Sequence, residues 1–328
     1  MPYDVVTFGE AMVRLSPPNF RRLEQTRSLD VQVGGAELNA AVGLARLGRS
    51  AAWVSRLTTN PLGRLIANHA REAGVSTDHV LWTPDDRVGL YFVEFGAAPR
   101  ASGVLYDRKD AAVAHIRPGM VPWADVLRGA KWFHTSGITP ALSPTAAEAT
   151  AEALRAAKAA GVGVSIDLNY RGKLWSQAEA NRCMTELMRF CDVLITTEED
   201  AEKVLGVIGK DHEDTAVQLT RRFPLRAAAI TIRDNPLVWK NQWTAVACRE
   251  GRVLKTRTYE VEIVDRVGAG DSFAAGLIHG LLDGDLQKGL DWGVAASALK
   301  HTLPGDFAWI TPSEVENLLK GEGLRISR

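Results

Sequence analysis

The stretch Val264-Asp265-Arg266-Val267-Gly268-Ala269-Gly270-Asp271-Ser272-Phe273-Ala274-Ala275-Gly276 places a carboxylate in a turn that runs directly into a helix. From Phe273 on, Ala274, Leu277, Ile278, Leu281 and Leu282 recur at helical spacing and mark a buried face. Gly276 and Gly280 allow that helix a close neighbour. Ahead of it, Gly268 and Gly270 bare the backbone N–H groups of the first turn. Such a terminus carries unpaired donors and about half a positive charge, so it seats an anion, typically a phosphate. The same positive end should keep Asp271 ionised. An anion seat beside a carboxylate is what phosphoryl transfer to an alcohol requires: the amides hold the transferring group and the carboxylate takes the hydroxyl proton. A glycine turn before a helix is also an ordinary structural device, so this stretch alone does not decide. The other two phosphate motifs are missing: there is no G-x-x-x-x-G-K-S/T, and no G-x-G-x-x-G follows the first strand.

The rest of the chain must position that turn. Its 328 residues suffice for a single large α/β domain spanning 1–328. Lys+Arg and Asp+Glu balance at 39 each, which argues against a nucleic-acid or membrane surface as partner. Cys183, Cys191 and Cys248 form no C-x-x-C pair and read as free thiols. The start lacks a signal-peptide pattern and no apolar run approaches the ~20 residues of a span, so the expectation is a cytoplasmic protein.

Asp4-Val5-Val6-Thr7-Phe8 reads as a buried strand, residues 20–33 as extended, and Ala36 to Leu47 as a helix opened by Gly34-Gly35 and closed by Gly48. Ala51 to Leu57 is a strand and Pro61 to Ala73 a helix. Gly89 to Phe95 and Ser102 to Asp107 alternate as a hairpin, part of a small β lid from about 12–33 and 87–110. The later chain alternates regularly. Strands are expected at 131–135, 162–168, 193–196 and 227–232. Helices are expected at 144–160, 176–190, 198–205 and 213–222, then 269–283, 286–301 and 312–320. An antiparallel pair is expected at 243–248 and 252–258. This rhythm predicts a mostly parallel sheet covered on both faces. Ligands of such sheets sit beyond the carboxyl ends of the strands. There the sequence delivers Asp167-Leu168-Asn169-Tyr170-Arg171, Thr197-Glu198-Glu199-Asp200 and Arg233-Asp234-Asn235.

Two separated signatures, Gly34-Gly35-Ala36-Glu37-Leu38-Asn39-Ala40-Ala41 and Asp265-Arg266-Val267-Gly268-Ala269-Gly270-Asp271-Ser272-Phe273, resemble those of the ribokinase-like (PfkB-type) carbohydrate kinases. The order of strands, lid hairpin and helices agrees over essentially the whole chain. Within that family, the stretches 136–142, 167–171, 198–203 and 299–307 are similar to the 2-keto-3-deoxygluconate kinase branch. The resemblance implies a three-layer α/β/α sandwich with a β-sheet lid, ATP and Mg²⁺ as cofactors, room for a monovalent cation such as K⁺, and a homo-oligomer paired through the lid. It implies Asp271 as base, with the amides of Gly268, Ala269 and Gly270 as anion hole. It puts Gly34, Gly35, Asn39, Tyr91, Tyr106 and Arg108 on the sugar and Arg171 on a carboxylate. Asn169, Thr197, Thr231, Arg233 and Ala296 fall to the nucleotide, and Asp200 to magnesium through water. An arginine clamp independently favours an acid, because a planar guanidinium matches a carboxylate bidentately.

Two positions depart from the family pattern. Thr197 and Asp200 stand where many members have the Asn and Glu of an N-x-x-E turn. Bulky residues over 231–239 replace the glycines of a K-x-G-x-x-G loop. The reading that follows is an ATP-dependent kinase of 2-keto-3-deoxygluconate, giving its 6-phosphate. A neutral-sugar kinase and a non-catalytic sugar or nucleotide sensor on the same fold remain open. No metal-spaced histidines and no G-x-S-x-G appear.

Overall fold

The computed structural model of the chain describes residues 2–237 and 239–321. The main sheet orders its strands as Arg252–Lys255, Lys240–Arg249, Ala227–Leu237, Val193–Thr196, Gly163–Asp167, Trp132–Ser136, Val5–Phe8, Ala51–Thr58 and Val75–Ser76. From Ala227–Leu237 to Val75–Ser76 the pairing is parallel, and the other end is antiparallel. Alternation along each buried strand decides which layer a side chain joins. Val6, Phe8, Val164, Ile166, Leu194 and Ile230 meet the helices Pro144–Ala159, Gln177–Leu187 and His212–Arg222 on one face. Val5 on the other face packs near Ala36–Arg46, while Val193, Ile195 and Ala229 pack with Ala269–Leu282 and Leu286–His301. The expected α/β/α layering is therefore present.

Ala269–Leu282 and Leu286–His301 cross at glycines. A Cβ at Gly276 would stand 2.5 Å from the Gly293 nitrogen, and one at Gly280 would stand 2.2 Å from the Gly289 nitrogen. Only glycines let these backbones touch, as the spacing of Gly276 and Gly280 predicts.

A second, smaller sheet orders Asp30–Gly34, Met12–Ser16, Leu90–Glu94 and Gly103–Asp107. Its strands lie at 12–16, 30–34, 90–94 and 103–107. The chain reaches it from the main-sheet strand Val5–Phe8 through only Gly9, Glu10 and Ala11.

Several short elements escape periodicity: the strand Val80–Thr83, the turns Ala112–His115 and Trp123–Val126, and the strand Tyr259–Glu262. Residues 231–237 of the segment expected as a nucleotide loop are instead the end of a strand. Ala227–Leu237 continues past Ile232 and pairs antiparallel with Lys240–Arg249. The Asn235, Pro236 and Leu237 side chains and all of Val238 lie outside the described residues.

Candidate active site

A cleft of about 630 Å³ opens between the two sheets, beyond the carboxyl ends of the parallel strands. It is lined by residues from both signatures, from both sheets and from the strand ends after Asp167, Thr196 and Thr231. Of the site residues expected from sequence, Ala296 alone stands away from it. That residue is buried on the helix Leu286–His301, in a cluster with Leu47, Trp292 and Ile310.

The turn before Ala269–Leu282 is set by backbone geometry. Gly268 has φ +86°, a left-handed conformation, and a Cβ there would stand 2.1 Å from the Asp306 carbonyl oxygen. Gly270 is exposed and faces open space. The Ala269 N–H donates to the Arg266 carbonyl at 3.3 Å, so it already has a partner inside the turn. Ser272 donates through Oγ to the Gly268 carbonyl at 2.8 Å and closes the turn from behind.

Asp271 projects from this first turn into the cleft, where Asn39 Nδ2 donates to its Oδ2 at 2.7 Å. Burial raises its pKa to about 7. The Asn39 hydrogen bond opposes that rise, and the Asp306 and Glu37 carboxyls add to it. This corrects the expectation that the helix end keeps Asp271 ionised: desolvation outweighs the dipole, which acts over a single turn. Asn39 is thus fixed on the carboxylate, and its Oδ1 accepts from the Gly35 N–H at 3.3 Å.

Behind the turn lies a charged cluster closed to solvent. Arg14, 1% exposed, donates at 2.6 Å to both Asp265 and Asp306, and at 3.1 Å through Nε to Ser16. Asp265 in turn accepts from the N–H groups of Val267 and Gly305, both at 3.0 Å. Tyr91 donates to Asp306 Oδ2 at 2.6 Å, and Lys300 Nζ donates to the Asp265 carbonyl at 3.0 Å. A Cβ on Gly34 would collide with Asp306 Oδ2 and the Tyr91 hydroxyl, and one on Gly35 with the Glu10 carbonyl. The first signature's glycines therefore let the helix Ala36–Arg46 press its N-terminus against this cluster.

The small sheet supplies Tyr91, Tyr106 and Arg108. The two rings stack 5.9 Å apart, and the Arg108 guanidinium lies 5.4 Å over Tyr106. Arg108 is already paired with the buried carboxylate of Glu10. Arg171, across the cleft, is exposed, with only a 3.4 Å bond to the Tyr170 carbonyl. At the next strand end Thr197 caps a short turn by accepting from the Asp200 N–H, and Asp200 accepts from the Tyr170 N–H at 3.2 Å. Asn169 adopts φ +40° beside them, and its N–H donates to Asp167. Thr231 and Arg233 line the cleft from the strand Ala227–Leu237.

Sequence reasoning passed over Arg14, Asp306, Glu37 and Asp167 as site residues. Arg14 had a signal: a lone arginine inside the apolar strand Met12-Val13-Arg14-Leu15 must find carboxylates to be buried. Glu37 is fully buried, with Oε1 accepting from the Ser136 N–H, Ser136 Oγ and Thr139 Oγ1. Asp167 lines the cleft, and its pKa is raised well above the carboxylate range by burial and then by Asp271 and Asp200. The pKa of Asp200 is raised too, chiefly by burial. Repelling, desolvated carboxyls that face one cleft fit a divalent cation brought in on phosphates. Among the described residues no cluster of three or more His, Cys, Asp or Glu could hold a metal by itself. Magnesium characteristically keeps waters and phosphates in its shell.

Among the described residues, no helix is long and apolar enough to cross a membrane. The chain matches the description "pfkB family carbohydrate kinase" over residues 3–309. It is 41% identical to a 2-dehydro-3-deoxygalactonokinase of Haloferax volcanii, covering 100% of both chains. It is 30% identical to a 5-dehydro-2-deoxygluconokinase of Shouchella clausii, over 97% of this chain and 96% of that one. Its structure superposes on that of a 2-dehydro-3-deoxygluconokinase from Thermotoga maritima with a TM-score of 0.93 and 44% identity, covering 97% and 99% of the two chains. With its two signatures meeting at one cleft, the chain belongs to the pfkB family of carbohydrate kinases.

Proposed function

We propose that this kinase phosphorylates a 2-keto-3-deoxy sugar acid, 2-keto-3-deoxygluconate above all, on its terminal hydroxyl to give the 6-phosphate. The observation that carries the reading is Asp271 in the first turn of Ala269–Leu282, facing the same cleft as the exposed Arg171. The relatives named above act, by their names, on keto-deoxy sugar acids.

In this mechanism the sugar hydroxyl lies between Asp271 and the γ-phosphoryl of ATP. Its oxygen attacks phosphorus, the bond to the β-phosphate oxygen breaks, ADP departs, and the hydroxyl proton passes to the Asp271 carboxylate. The N–H groups of Gly268 and Gly270 and the positive helix end stabilise charge on the transferring group, with Ala269 holding the turn's shape. Asn39 aims Asp271. Bound magnesium would neutralise phosphate charge near Asp167 and Asp200, reached through water. Thr197, Asn169, Thr231 and Arg233 flank the polyphosphate and nucleotide. Arg171 takes the substrate carboxylate, since Arg108 is already neutralised by Glu10 and is left to position Tyr106 over the sugar. Gly34 and Gly35 offer backbone to the sugar hydroxyls, and Tyr91 packs beneath Tyr106. Closure of the small sheet as a lid excludes water and limits wasteful hydrolysis. In this reading 1–328 works as one kinase domain in the cytoplasm, where its free Cys183, Cys191 and Cys248 stay reduced. The outer strand Gly103–Asp107 is exposed along its length, with Leu105 59% accessible, and pairs with a second copy as open edges do.

The test is ADP release with Mg-ATP and, in turn, 2-keto-3-deoxygluconate, its C4 epimer, gluconate, fructose and ribose. Turnover confined to the keto-deoxy acids is expected. Turnover on a neutral sugar alone would overturn the Arg171 assignment, and ligand binding without turnover would favour the sensor.

A further inference from the structure

The least expected charge in the molecule is Lys300. Its side chain is fully buried, near the end of Leu286–His301. A lysine in that setting normally surrenders its proton or is excluded. Here the ammonium donates to two main-chain carbonyls, that of Asp265 at 3.0 Å and that of Leu303 at 3.2 Å. The first belongs to the strand of chain that enters the anion turn. The second opens the loop whose Asp306 carbonyl backs Gly268. Lys300 therefore ties the two segments that shape the turn.

The surroundings add up in charge. Arg14 and Lys300 are the cations facing this point, and Asp265 and Asp306 the anions, all closed to solvent. Burial, the largest influence, and Arg14 bring the Lys300 pKa below its ordinary value, while Asp265, Asp306 and Asp271 favour the charged ammonium. Carbonyl oxygens with carboxylates behind them are the chemistry of a site for a desolvated monovalent cation such as K⁺. An ammonium group is close to K⁺ in size and carries the same charge. A free K⁺ does not fit here, because the lysine already uses these carbonyls.

Resting on the kinase reading, we infer that Lys300 is a built-in cation: its ammonium holds the anion turn in place of a monovalent metal ion, so phosphoryl transfer needs no free K⁺. Lys300 touches no reacting atom and acts as a positioning residue. Its removal leaves the buried cluster one positive charge short, with two carbonyls aimed at the gap. The deletion should create a cation site.

The experiment compares the full-length protein with Lys300→Ala and Lys300→Met, in potassium, ammonium or tetramethylammonium chloride at equal ionic strength. Turnover of 2-keto-3-deoxygluconate and the thermal midpoint are both read. The unmodified protein should keep its kcat within about twofold in every salt, since none has a site to fill. Lys300→Ala should lose ~10²-fold in kcat in tetramethylammonium, as for a displaced anion-hole donor, and recover at least about tenfold, saturably, with potassium or ammonium. Its midpoint should rise by about 2–4 °C with potassium while the unmodified protein's stays level. Lys300→Met fills the space without charge and should not be rescued. A large potassium requirement in the unmodified protein would overturn the inference. So would a Lys300→Ala variant whose turnover and midpoint ignore the cation. If the substrate assignment is what fails, turnover is absent in every salt while the midpoint comparison still decides the role of Lys300.

Discussion

Two sets of charges flank the cleft, and they are built in opposite ways. Behind the anion turn, Arg14, Asp265, Asp306 and Lys300 are sealed from water, each with close partners. Across the cleft, Arg171 is exposed, with a 3.4 Å hydrogen bond to the Tyr170 carbonyl. Burial makes the first set costly to break and nearly immobile, because unpaired charges in low dielectric are expensive. Exposure leaves the second free to move at little cost. The Asp271 side of the cleft is thus preorganised and the Arg171 side adjustable, which in the proposed reaction would separate a fixed phosphoryl end from an adaptable sugar end.

The sharpest break of this contrast is Asp271→Asn. It should lower kcat by about 10²–10⁴ while leaving substrate affinity nearly intact, checked by steady-state kinetics and ligand titration. Near-normal turnover would remove Asp271 as the base. Next comes Arg14→Met, which strands two buried carboxylates. It should cost about 3–5 kcal/mol of stability in chemical denaturation. Arg171→Ala should leave stability within about 0.5 kcal/mol and raise KM for the acid about tenfold, with little effect on a neutral sugar. If both arginines behaved alike, the contrast would fail.

A pH series sharpens the same comparison. The pKa of Asp271 in the fold, about 7, lies above its ordinary value. From ~4 up to about 7 the unfolded chain ionises this group while the fold holds the proton, so stability falls as pH rises across that window. The base form grows over the upper part of it. The kcat/KM should therefore climb about tenfold per pH unit below 7 and flatten above. Asn39→Ala removes the hydrogen bond that holds the pKa down, so the limb should move to higher pH. The smallest effect is expected from Tyr91→Phe, which loses one hydrogen bond to Asp306: about 1 kcal/mol in stability and a kcat change of about threefold or less.

Much of this was legible in the sequence because it was local or periodic. The turn at Gly268–Asp271 and the alternation of strands and helices each lie within a short window. The hairpin at 89–107 and its grouping with 12–33 were legible, but not the strand Met12–Ser16 or its parallel pairing with Leu90–Glu94. The strand Ala227–Leu237 continues beyond the expected 227–232, where bulky residues stand in place of glycines. Strand-end position placed Arg171 and Asp200 on the cleft that they line. Arg14, Asp306 and Lys300 were invisible as a group: each is an isolated charge until folding brings it to the others. The pKa of Asp271 was misjudged for a related reason, since the helix end is read from sequence whereas burial is a property of the whole fold.

The pair Arg14–Asp306 spans 292 positions along the chain. Its members come from near the beginning and near the end of synthesis, and the anion turn is shaped only where they meet. A chain that stops short of Asp306 therefore lacks this brace of the turn before Ala269–Leu282. A contact of that sequence separation carries a large loop-closure cost, so it is expected to form late in folding. In the proposed reaction, turnover is then expected only from a chain long enough to include Asp306.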